Sequence, residues 1–368
     1  MRKKIFKNMD YGLLICVLVL LAIGLVALYS ATQNSDFVEF RKQIMWIGIS
    51  IPIMIIIIFI DYETIAKISP ILYICSIVSL IAVLFTKPIN GATSWFSIGS
   101  VSIQPAEFAK IIIIITLSYC ISKMQSGNLS KKTKVLSVLG IMVALIIPIL
   151  LIVKQPDYGT AAAFIIAIVL MLFISGIKKR YIIIAMILIV VLVPILYLYV
   201  LPQHAKTRID VFLNPNLDPR GAGYNVIQSK LAIGSGEFLG MGVLKGNQTQ
   251  LGFLYPKTTD FIFAVIGEEM GFVVAAVVII AYVVLITRTI YIAKTAKNNL
   301  GSYISIGIAG IFLFHMLENI GMTMGLLPIT GVPLPFVSYG GSSLLTNLIM
   351  IALLLNISGR RQKAIFVE

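Results

Sequence analysis

Long apolar runs separated by short polar segments make up most of this chain. They lie near residues 11–32, 43–60, 71–86, 105–123, 135–153, 158–176, 181–201, 260–287, 302–325 and 336–357. Most of the runs are close to the roughly 20 residues that an α-helix needs to cross the hydrocarbon core of a bilayer. The pattern predicts an all-α integral membrane protein with about ten transmembrane helices, in a single polytopic domain over residues 1–368.

The polar segments between the runs differ in charge. With the N-terminus inside, eighteen lysines and arginines fall on inner segments, and only Arg41, Lys42, Lys87 and Lys154 fall on short outer loops. Because cytoplasmic loops carry the excess of basic residues, both termini are predicted to be cytoplasmic. The net charge of +14 is dispersed over these loops, so we expect no nucleic-acid partner.

Composition supports the membrane assignment. Charged residues make up 12% of the chain, against about 25% in soluble domains. Cys16, Cys75 and Cys120 lie within apolar runs, so we expect core residues with neither a disulfide nor a metal site. The basic segment 1–7 precedes a run long enough to span and lacks a good cleavage site after it, so we expect the first helix to be retained.

Two outer loops are long. They cover roughly residues 87–104 and 202–258, and the second joins the seventh and eighth predicted helices. Long loops are uncommon in compact domains unless they are functional or disordered. In the second loop Tyr224, Ile227 and Leu231 recur at helical spacing, which predicts a short helix lying at the membrane surface.

Charged residues at membrane depth are candidates for function, because such a side chain costs about 2.5–3.5 kcal/mol on insertion scales. Glu107 and Lys110 are three residues apart, on one helix face, and can pair. They are either a structural ion pair or part of a polar substrate cavity. Asp157 precedes the sixth run and either caps that helix or faces the cavity.

Asp260 begins the eighth run at its outer end, directly after the long polar loop. It could cap the helix, but two features favour a catalytic role. The loop delivers it, and Gly267 and Gly271 lie on its helix face, where we expect room for a ligand. A carboxylate at the mouth of an apolar cavity is a plausible general base, because burial raises its pKa.

The remaining polar features of the spans point to structure. His315 and Glu318 share a face of the ninth run, and Glu268 and Glu269 lie deeper in the eighth; we interpret the Glu–His pair as a satisfied polar contact. The sequence has no H-E-x-x-H, C-x-x-C or P-loop motif, so nothing supports a metalloprotease or an ATPase. The Gly- and Pro-rich segment 331–343 cannot begin as a regular helix. It is predicted to be a re-entrant wall of the site.

Several short motifs occur together in a fixed order. They are Asn90-Gly91-Ala92…Trp95, Gln104-Pro105…Glu107…Lys110, Gln155-Pro156-Asp157…Gly159-Thr160, Gly221-Ala222-Gly223-Tyr224…Gln228-Ser229-Lys230, Thr259-Asp260-Phe261-Ile262-Phe263…Glu268-Glu269 and Pro333-Leu334-Pro335…Ser338-Tyr339-Gly340-Gly341-Ser342-Ser343. Over nearly the whole chain they resemble the shape, elongation, division and sporulation (SEDS) family of bacterial cell-wall polymerases, and most closely its rod-shape branch.

The resemblance implies a peptidoglycan glycosyltransferase of the bacterial cytoplasmic membrane that polymerises lipid II during cell elongation and shape maintenance. The family's essential aspartate corresponds to Asp260, the expected general base, and its polar cavity residues correspond to Glu107, Lys110 and Asp157. Further residues expected to bind substrate are Trp95, Gln155, Lys257, Ser338 and Ser342.

The same resemblance implies partners and a cofactor. The expected partners are a class B penicillin-binding protein acting as transpeptidase, other elongation-complex proteins and membrane lipid. The expected cofactor is a divalent cation, Mg²⁺ or Mn²⁺. This cation or a basic side chain would offset the charge of the diphosphate leaving group. The candidate side chains are Lys110, Arg208, Arg220 and Lys257.

Three other functions remain open on sequence alone. A transporter or flippase of the same lipid-linked precursor would also use buried charges and broken helices, although no inverted repeat is visible. A non-catalytic scaffold for wall enzymes would not need Asp260. A different polyprenyl-sugar polymerase or ligase could share the architecture and would differ in substrate.

Overall fold

A computed structural model describes residues 6–88, 91–99, 101–126, 131–176, 180, 203–214, 217–218 and 221–361. Its longer elements are, in chain order, helices α1 (Tyr11–Ala31), α2 (Val38–Phe59) and α3 (Tyr62–Val83), strands β1 (Phe96–Ile98) and β2 (Val101–Ile103), and helices α4 (Pro105–Ser126), α5 (Lys131–Lys154), α6 (Tyr158–Ile174), α7 (Gln203–Leu213), α8 (Ala222–Ser235), α9 (Asn247–Gln250), α10 (Ile262–Thr295), α11 (Asn299–Thr323) and α12 (Gly341–Gly359).

The described helices confirm a polytopic, almost wholly helical membrane protein. Seven of them, α1, α2, α3, α4, α10, α11 and α12, are long and apolar enough to cross a bilayer, and two shorter apolar helices match the fifth and sixth predicted spans. The predicted span at 181–201 lies outside the described residues. The largest shift of a boundary is at α3, which begins at Tyr62 and not near residue 71, because the Asp61 carboxylate accepts a hydrogen bond from Glu63 N (3.0 Å) and caps the helix.

The core sits around α11 and α12, which are almost entirely buried. Helix α11 packs on α10, α6 and α4, α12 packs on α2, and α1 packs on α10. Helices α2 and α3 lie at the periphery and expose large apolar side chains such as Ile71 and Ile74. The three cysteines are free, but only Cys16 is buried and Cys75 is exposed on α3, so the expectation of core cysteines was wrong there.

Both predicted outer loops contain local structure. Strands β1 and β2 form an antiparallel hairpin in the first loop, with Phe96 opposite Ile103. The second loop contains α7, α8 and α9, so the predicted helix is present as α8. On this helix Leu231 is 52% exposed, whereas Val226 and Ser229 are buried. The Ser229 hydroxyl donates to the Thr323 carbonyl (2.7 Å), which turns that face towards α11.

Helix α10 is broken at Gly271, whose φ of 75° lies in the left-handed region. The loop before α9 supplies the missing backbone partners there. Met241 N donates to the Glu268 carbonyl and Phe272 N to the Glu237 carbonyl (both 2.9 Å). A β-carbon at Gly271 would collide with the backbone of Gly240.

The space beside these glycines is therefore filled by protein. A β-carbon at Gly267 would meet Ile233 at 3.1 Å, and Gly236 lies directly against the Gly267 carbonyl. The expectation that Gly267 and Gly271 leave room for a ligand was wrong. A loop with glycines of its own can approach a helix this closely, and the sequence pattern did not distinguish that packing from an open cavity.

Two buried carboxylates in α10 anchor the same loop. Glu268 accepts hydrogen bonds from Gln248 N (2.7 Å) and from the amide and hydroxyl of Thr249 (3.0 and 2.6 Å). Glu269 accepts from Gly246 N (3.3 Å) and Gln250 Nε2 (2.8 Å). Hydrogen bonds to charged acceptors are among the stronger ones, so these residues fix the outer loop that leads to Asp260.

Candidate active site

The segment between α11 and α12 forms an extended wall inside the protein, as its Gly and Pro content predicted. Val332, Leu334 and Val337 are at most 2% exposed. The irregular backbone of this segment is therefore enclosed by protein, as membrane depth requires. Ser338 is also buried. Its hydroxyl donates to the Thr259 carbonyl (2.6 Å) and accepts from Leu334 N (2.8 Å), which ties the wall to the loop before α10.

Asp260 lies where that loop meets the wall. Asp260 is partly buried, and a β-carbon at Gly331 would be 3.4 Å from its Oδ2, so this glycine of the wall lies close to the carboxylate. Asn319 Nδ2 donates to the carbonyls of Asp260 (3.0 Å) and Val332 (2.9 Å) and holds loop and wall together. The N-cap of α10 is Phe261 and receives no side-chain hydrogen bond. The capping alternative for Asp260 is therefore not realised.

The surroundings of Asp260 suit a proton acceptor. Burial raises the pKa of its carboxyl above the ordinary value, while the Thr259 side chain and the Arg208 guanidinium oppose that rise. Arg208 lies on α7 and reaches towards the wall, with Nη1 3.5 Å from the Ile329 carbonyl. The raised pKa favours proton uptake by this carboxyl, and the charge of Arg208 opposes that rise.

A second polar group lies between α4 and α11. Lys110 Nζ donates to Glu107 Oε1 (2.9 Å), and both side chains are buried. Lys110 Nζ is also 3.2 Å from His315 Nε2, and His315 Nδ1 is 3.1 Å from the Pro333 carbonyl. Because a carbonyl only accepts, Nδ1 carries the proton and Nε2 accepts from Lys110. Thr346 donates to the other Glu107 oxygen (3.1 Å), so the ion pair is satisfied on each side.

Asp157 caps helix α6, one of the two roles that the sequence left open, and also pairs with Gln104. Its Oδ1 accepts from Thr160 N (3.1 Å) and caps α6, and its Oδ2 accepts from Gln104 Nε2 (2.7 Å). Burial raises the pKa of the Asp157 carboxyl, and the Thr160 hydrogen bonds oppose that rise; the charges of Glu107 and Lys110 act more weakly. The cap therefore also belongs to the polar centre.

The wall connects the two groups. On one side of it Gly331 abuts Asp260, and on the other Gly159, at the start of α6, lies against Val332. Thr330 donates to Glu318 Oε1 (2.7 Å) from the same stretch. Asp260 and the start of α6, which Asp157 caps, thus both adjoin residues 330–333.

The other expected substrate residues are distributed around this centre. Gln155 is buried and donates to the Leu80 carbonyl (3.0 Å), and Ser342 accepts from Gln104 N (3.1 Å). Trp95 is half-buried beside β1. Lys257 donates instead to the Thr249 carbonyl (2.7 Å) in the anchored loop.

Of the four basic candidates, Arg208 is the one whose charge acts on Asp260. Lys110 is committed to Glu107. Burial lowers the pKa of Lys257, and the carboxylates Glu269, Glu39 and Glu268 oppose that change. Arg220 lies outside the described residues.

Two site residues were missed by the sequence reasoning. Gln104 belongs to one of the motifs above, and Asn319 lies on the same helix as His315 and Glu318. Their roles are contacts with Asp157 and with backbone, which spacing cannot reveal. Within the described part of the chain, the buried oxygens Asn319 Oδ1 and Gln155 Oε1 accept no hydrogen bond. Buried acceptors usually have a partner, so these two oxygens are unusual features of the site.

The donor set does not fit a protein-held metal ion. Among the described residues, no group of three or more His, Cys, Asp or Glu side chains is arranged to hold one. The charged group that acts on Asp260 is the cation Arg208, which disfavours a second cation there. Mg²⁺ is often bound by one or two carboxylates together with substrate phosphates.

Comparisons with known proteins show which family this chain resembles. The family model described as "Cell cycle protein", for FtsW, RodA and SpoVE, matches residues 11–363. The peptidoglycan glycosyltransferase MrdB of Escherichia coli K12 is 36% identical over 356 residues, which cover 96% of this chain and 95% of MrdB. The peptidoglycan glycosyltransferase RodA of Treponema pallidum is 32% identical over 437 residues, covering 98% of this chain and 100% of RodA.

The fold agrees as well. A chain from a solved peptidoglycan synthase complex, described as coordinating polymerization and crosslinking, superposes with a TM-score of 0.81 at 26% identity, covering 95% of this chain and 97% of that one. Together with the match over residues 11–363, this shows that the chain belongs to the FtsW, RodA and SpoVE family of cell cycle proteins, the SEDS family of the bacterial cytoplasmic membrane.

Proposed function

We propose that this protein is a peptidoglycan glycosyltransferase that polymerises lipid II at the outer face of the cytoplasmic membrane, with Asp260 as its general base. The main support is the carboxyl of Asp260, which is not used as a helix cap, lies against Gly331 of the wall and has a raised pKa. The named activities of the relatives from E. coli and T. pallidum support the reaction class.

In the proposed reaction Asp260 accepts the proton of the 4-hydroxyl on the incoming sugar. The hydroxyl oxygen attacks the anomeric carbon of the growing glycan, a new C–O bond forms, and the bond from that carbon to the undecaprenyl diphosphate breaks. The diphosphate leaves with the electron pair of the broken bond. General-base catalysis of this kind contributes typically about 10²- to 10⁴-fold.

Arg208 offsets charge in this scheme. Its guanidinium is the positive group that acts on Asp260, and guanidinium groups bind phosphate oxygens with two parallel hydrogen bonds. A fixed cation beside the leaving group stabilises charge as it develops. In this scheme Mg²⁺ or Mn²⁺ enters the site bound to the diphosphate of the substrate.

The polar centre behind the wall orients the sugars. The Asp157–Gln104 pair offers hydrogen bonds of the kind that hydroxyl-rich substrates make. A class B penicillin-binding protein is the proposed partner. The similar chain from a synthase complex that coordinates polymerization and crosslinking supports this choice.

The reaction is tested with the purified full-length chain, lipid II, Mg²⁺ or Mn²⁺ and the partner transpeptidase, by measuring glycan length on gels. We expect polymer from the wild type and none above background from Asp260→Ala, with equal thermal unfolding of the two proteins. If neither protein makes polymer but the wild type moves fluorescent lipid II across liposome bilayers, the protein is a flippase and the proposal is wrong.

A further inference from the structure

A polar cavity of about 440 Å³ lies far from Asp260, at the end of the molecule predicted to be cytoplasmic. It is formed where the start of α1 and the last third of α10 meet the residues just after α12. Its lining consists of Met9, Asp10, Tyr11, Gly12, Thr287, Arg288, Tyr291 and Arg361. Asp10 N lies 3.3 Å from the Ser358 hydroxyl, which holds the start of α1 against the end of α12.

The cavity carries an excess of positive charge. Two guanidiniums, Arg288 and Arg361, face one carboxylate, Asp10. The two oxygens of Asp10 make different contacts. Oδ1 accepts a hydrogen bond from Leu13 N (3.0 Å) and caps α1, and Oδ2 is 3.7 Å from Arg288 Nη1. None of the described carboxylates forms a salt bridge with Arg361. Its guanidinium lies 5.9 Å from the centre of the Tyr291 ring.

Packing against α1 defines the position of the Arg288 guanidinium. A β-carbon at Gly12 would lie 3.1 Å from Arg288 Cζ, so the missing side chain lets the guanidinium lie against the first turn of α1. Arg288 remains 48% exposed at its side chain, and its partner Asp10 only 4%. One face of the guanidinium is thus held by protein while the other is available to a ligand.

The surroundings of the cavity are those of a membrane interface. Tyr11 and Tyr291 are 51% and 48% exposed, and Ile15 and Leu18, further along α1, are 60% and 56% exposed. Tyrosines concentrate at the level of lipid headgroups, and exposed aliphatic side chains next to them face the acyl chains. An anion bound in this cavity would therefore lie at the level of the lipid headgroups of the inner leaflet.

We propose that this cavity binds the phosphodiester headgroup of an anionic phospholipid from the inner leaflet. Arg288 and Arg361 would donate hydrogen bonds to the phosphate oxygens, and Tyr11 and Tyr291 would flank the glycerol region. Basic pockets between transmembrane helices on the cytoplasmic side are a recognised form of lipid site. The bound lipid would bridge the start of α1, α10 and the end of α12.

The proposal is tested on the full-length chain in phosphatidylcholine nanodiscs that contain phosphatidylglycerol as the minor lipid. Native mass spectrometry after release measures the fraction of protein that retains phosphatidylglycerol. Wild-type protein is expected to retain it, and Arg288→Gln and Arg361→Gln should each retain about fivefold less, since one basic residue near the surface contributes about 1 kcal/mol.

Lys294→Gln is the matched control, because it removes one positive charge from the exposed end of the same helix without touching the cavity. It should retain lipid as the wild type does; an equal loss would show diffuse attraction and overturn the site. Arg361→Gln keeps the test valid if loss of the Asp10 partner unfolds Arg288→Gln. Unchanged retention in Arg361→Gln would overturn the proposal.

A second arm separates the lipid from free anions. Inorganic phosphate is titrated into protein in pure phosphatidylcholine nanodiscs, and thermal unfolding is followed. We expect no stabilisation of the wild type. Stabilisation by phosphate that disappears in Arg361→Gln would mean a site for soluble phosphate and would contradict the assignment to a lipid headgroup.

Discussion

The chemistry of single residues depends on what surrounds them. The sequence identified Asp260, Glu107, Lys110 and Asp157 because charges at membrane depth are costly. It could not show that Asn319 holds the Asp260 carbonyl, or that Lys110 bonds to His315 as well as Glu107. Such contacts join residues more than fifty positions apart, and no spacing rule predicts them.

Arg208 should set the pH range of the reaction. A general base works only when ionised, so the rate falls as the pH falls through the pKa of Asp260, which burial raises. Because the Arg208 charge lowers that pKa, Arg208→Gln should move the acid limb of the kcat/KM profile to higher pH. Lys206→Gln, on the same helix, should leave the limb in place. A limb unmoved in Arg208→Gln would exclude this coupling.

Single and double substitutions of the buried Glu107–Lys110 pair in α4 should have different effects on the free energy of unfolding. Lys110→Met leaves the Glu107 charge without its cation and should cost about 3–5 kcal/mol in the free energy of unfolding. Lys110→Met combined with Glu107→Gln removes both charges and should cost less. Thermal unfolding in nanodiscs gives the comparison, and a double variant no more stable than Lys110→Met would refute the pairing energetics.

At the level of elements, apolar runs located the spans well but their interruptions poorly. The runs near 302–325 and 336–357 became α11 and α12 with shifts of a few residues. The break in α10 was not predicted, because Gly271 alone does not distinguish a kink from a packing glycine. The kink exists because the loop around Gly240 supplies backbone partners from outside the helix.

Gly271→Ala should therefore destabilise the protein. It places a side chain at a φ of 75° and against the Gly240 backbone, and such conformations cost about 1–3 kcal/mol for other residues. Gly234→Ala in α8 is the control, since nothing lies within 4 Å of its β-carbon, and it should be neutral or stabilise by up to about 1 kcal/mol. Equal unfolding temperatures for the two variants would argue against a strained kink.

The two polar sites, around Asp260 and around the arginine cavity, lie at opposite ends of the molecule. Asp260 and the wall belong to the predicted outer end, and the arginine cavity to the predicted inner end. The charge asymmetry of the short loops predicts this orientation. It could not predict which loops fold against the bundle, because that depends on tertiary contacts such as those of Glu268 with the α9 segment.

The orientation can be measured by cysteine labelling in intact cells. With Cys16, Cys75 and Cys120 replaced by alanine, a cysteine at exposed position Asn34 should react with a membrane-impermeant maleimide. A cysteine at Lys294 should react only after the membrane is permeabilised. The reverse pattern would invert the molecule and move Asp260 to the cytoplasm, where the proposed outer-face polymerisation could not occur.

The most direct test of the account compares the initial rates of lipid II polymerisation by Asp260→Asn and Asp157→Asn, with the partner transpeptidase present. Asparagine keeps the shape of each side chain and removes only its basicity. Asp260→Asn should be slower than wild type by roughly 10²- to 10⁴-fold, and Asp157→Asn by less than about tenfold, the effect of one weakened hydrogen bond. The opposite order would make Asp157 the base and contradict the role assigned to Asp260.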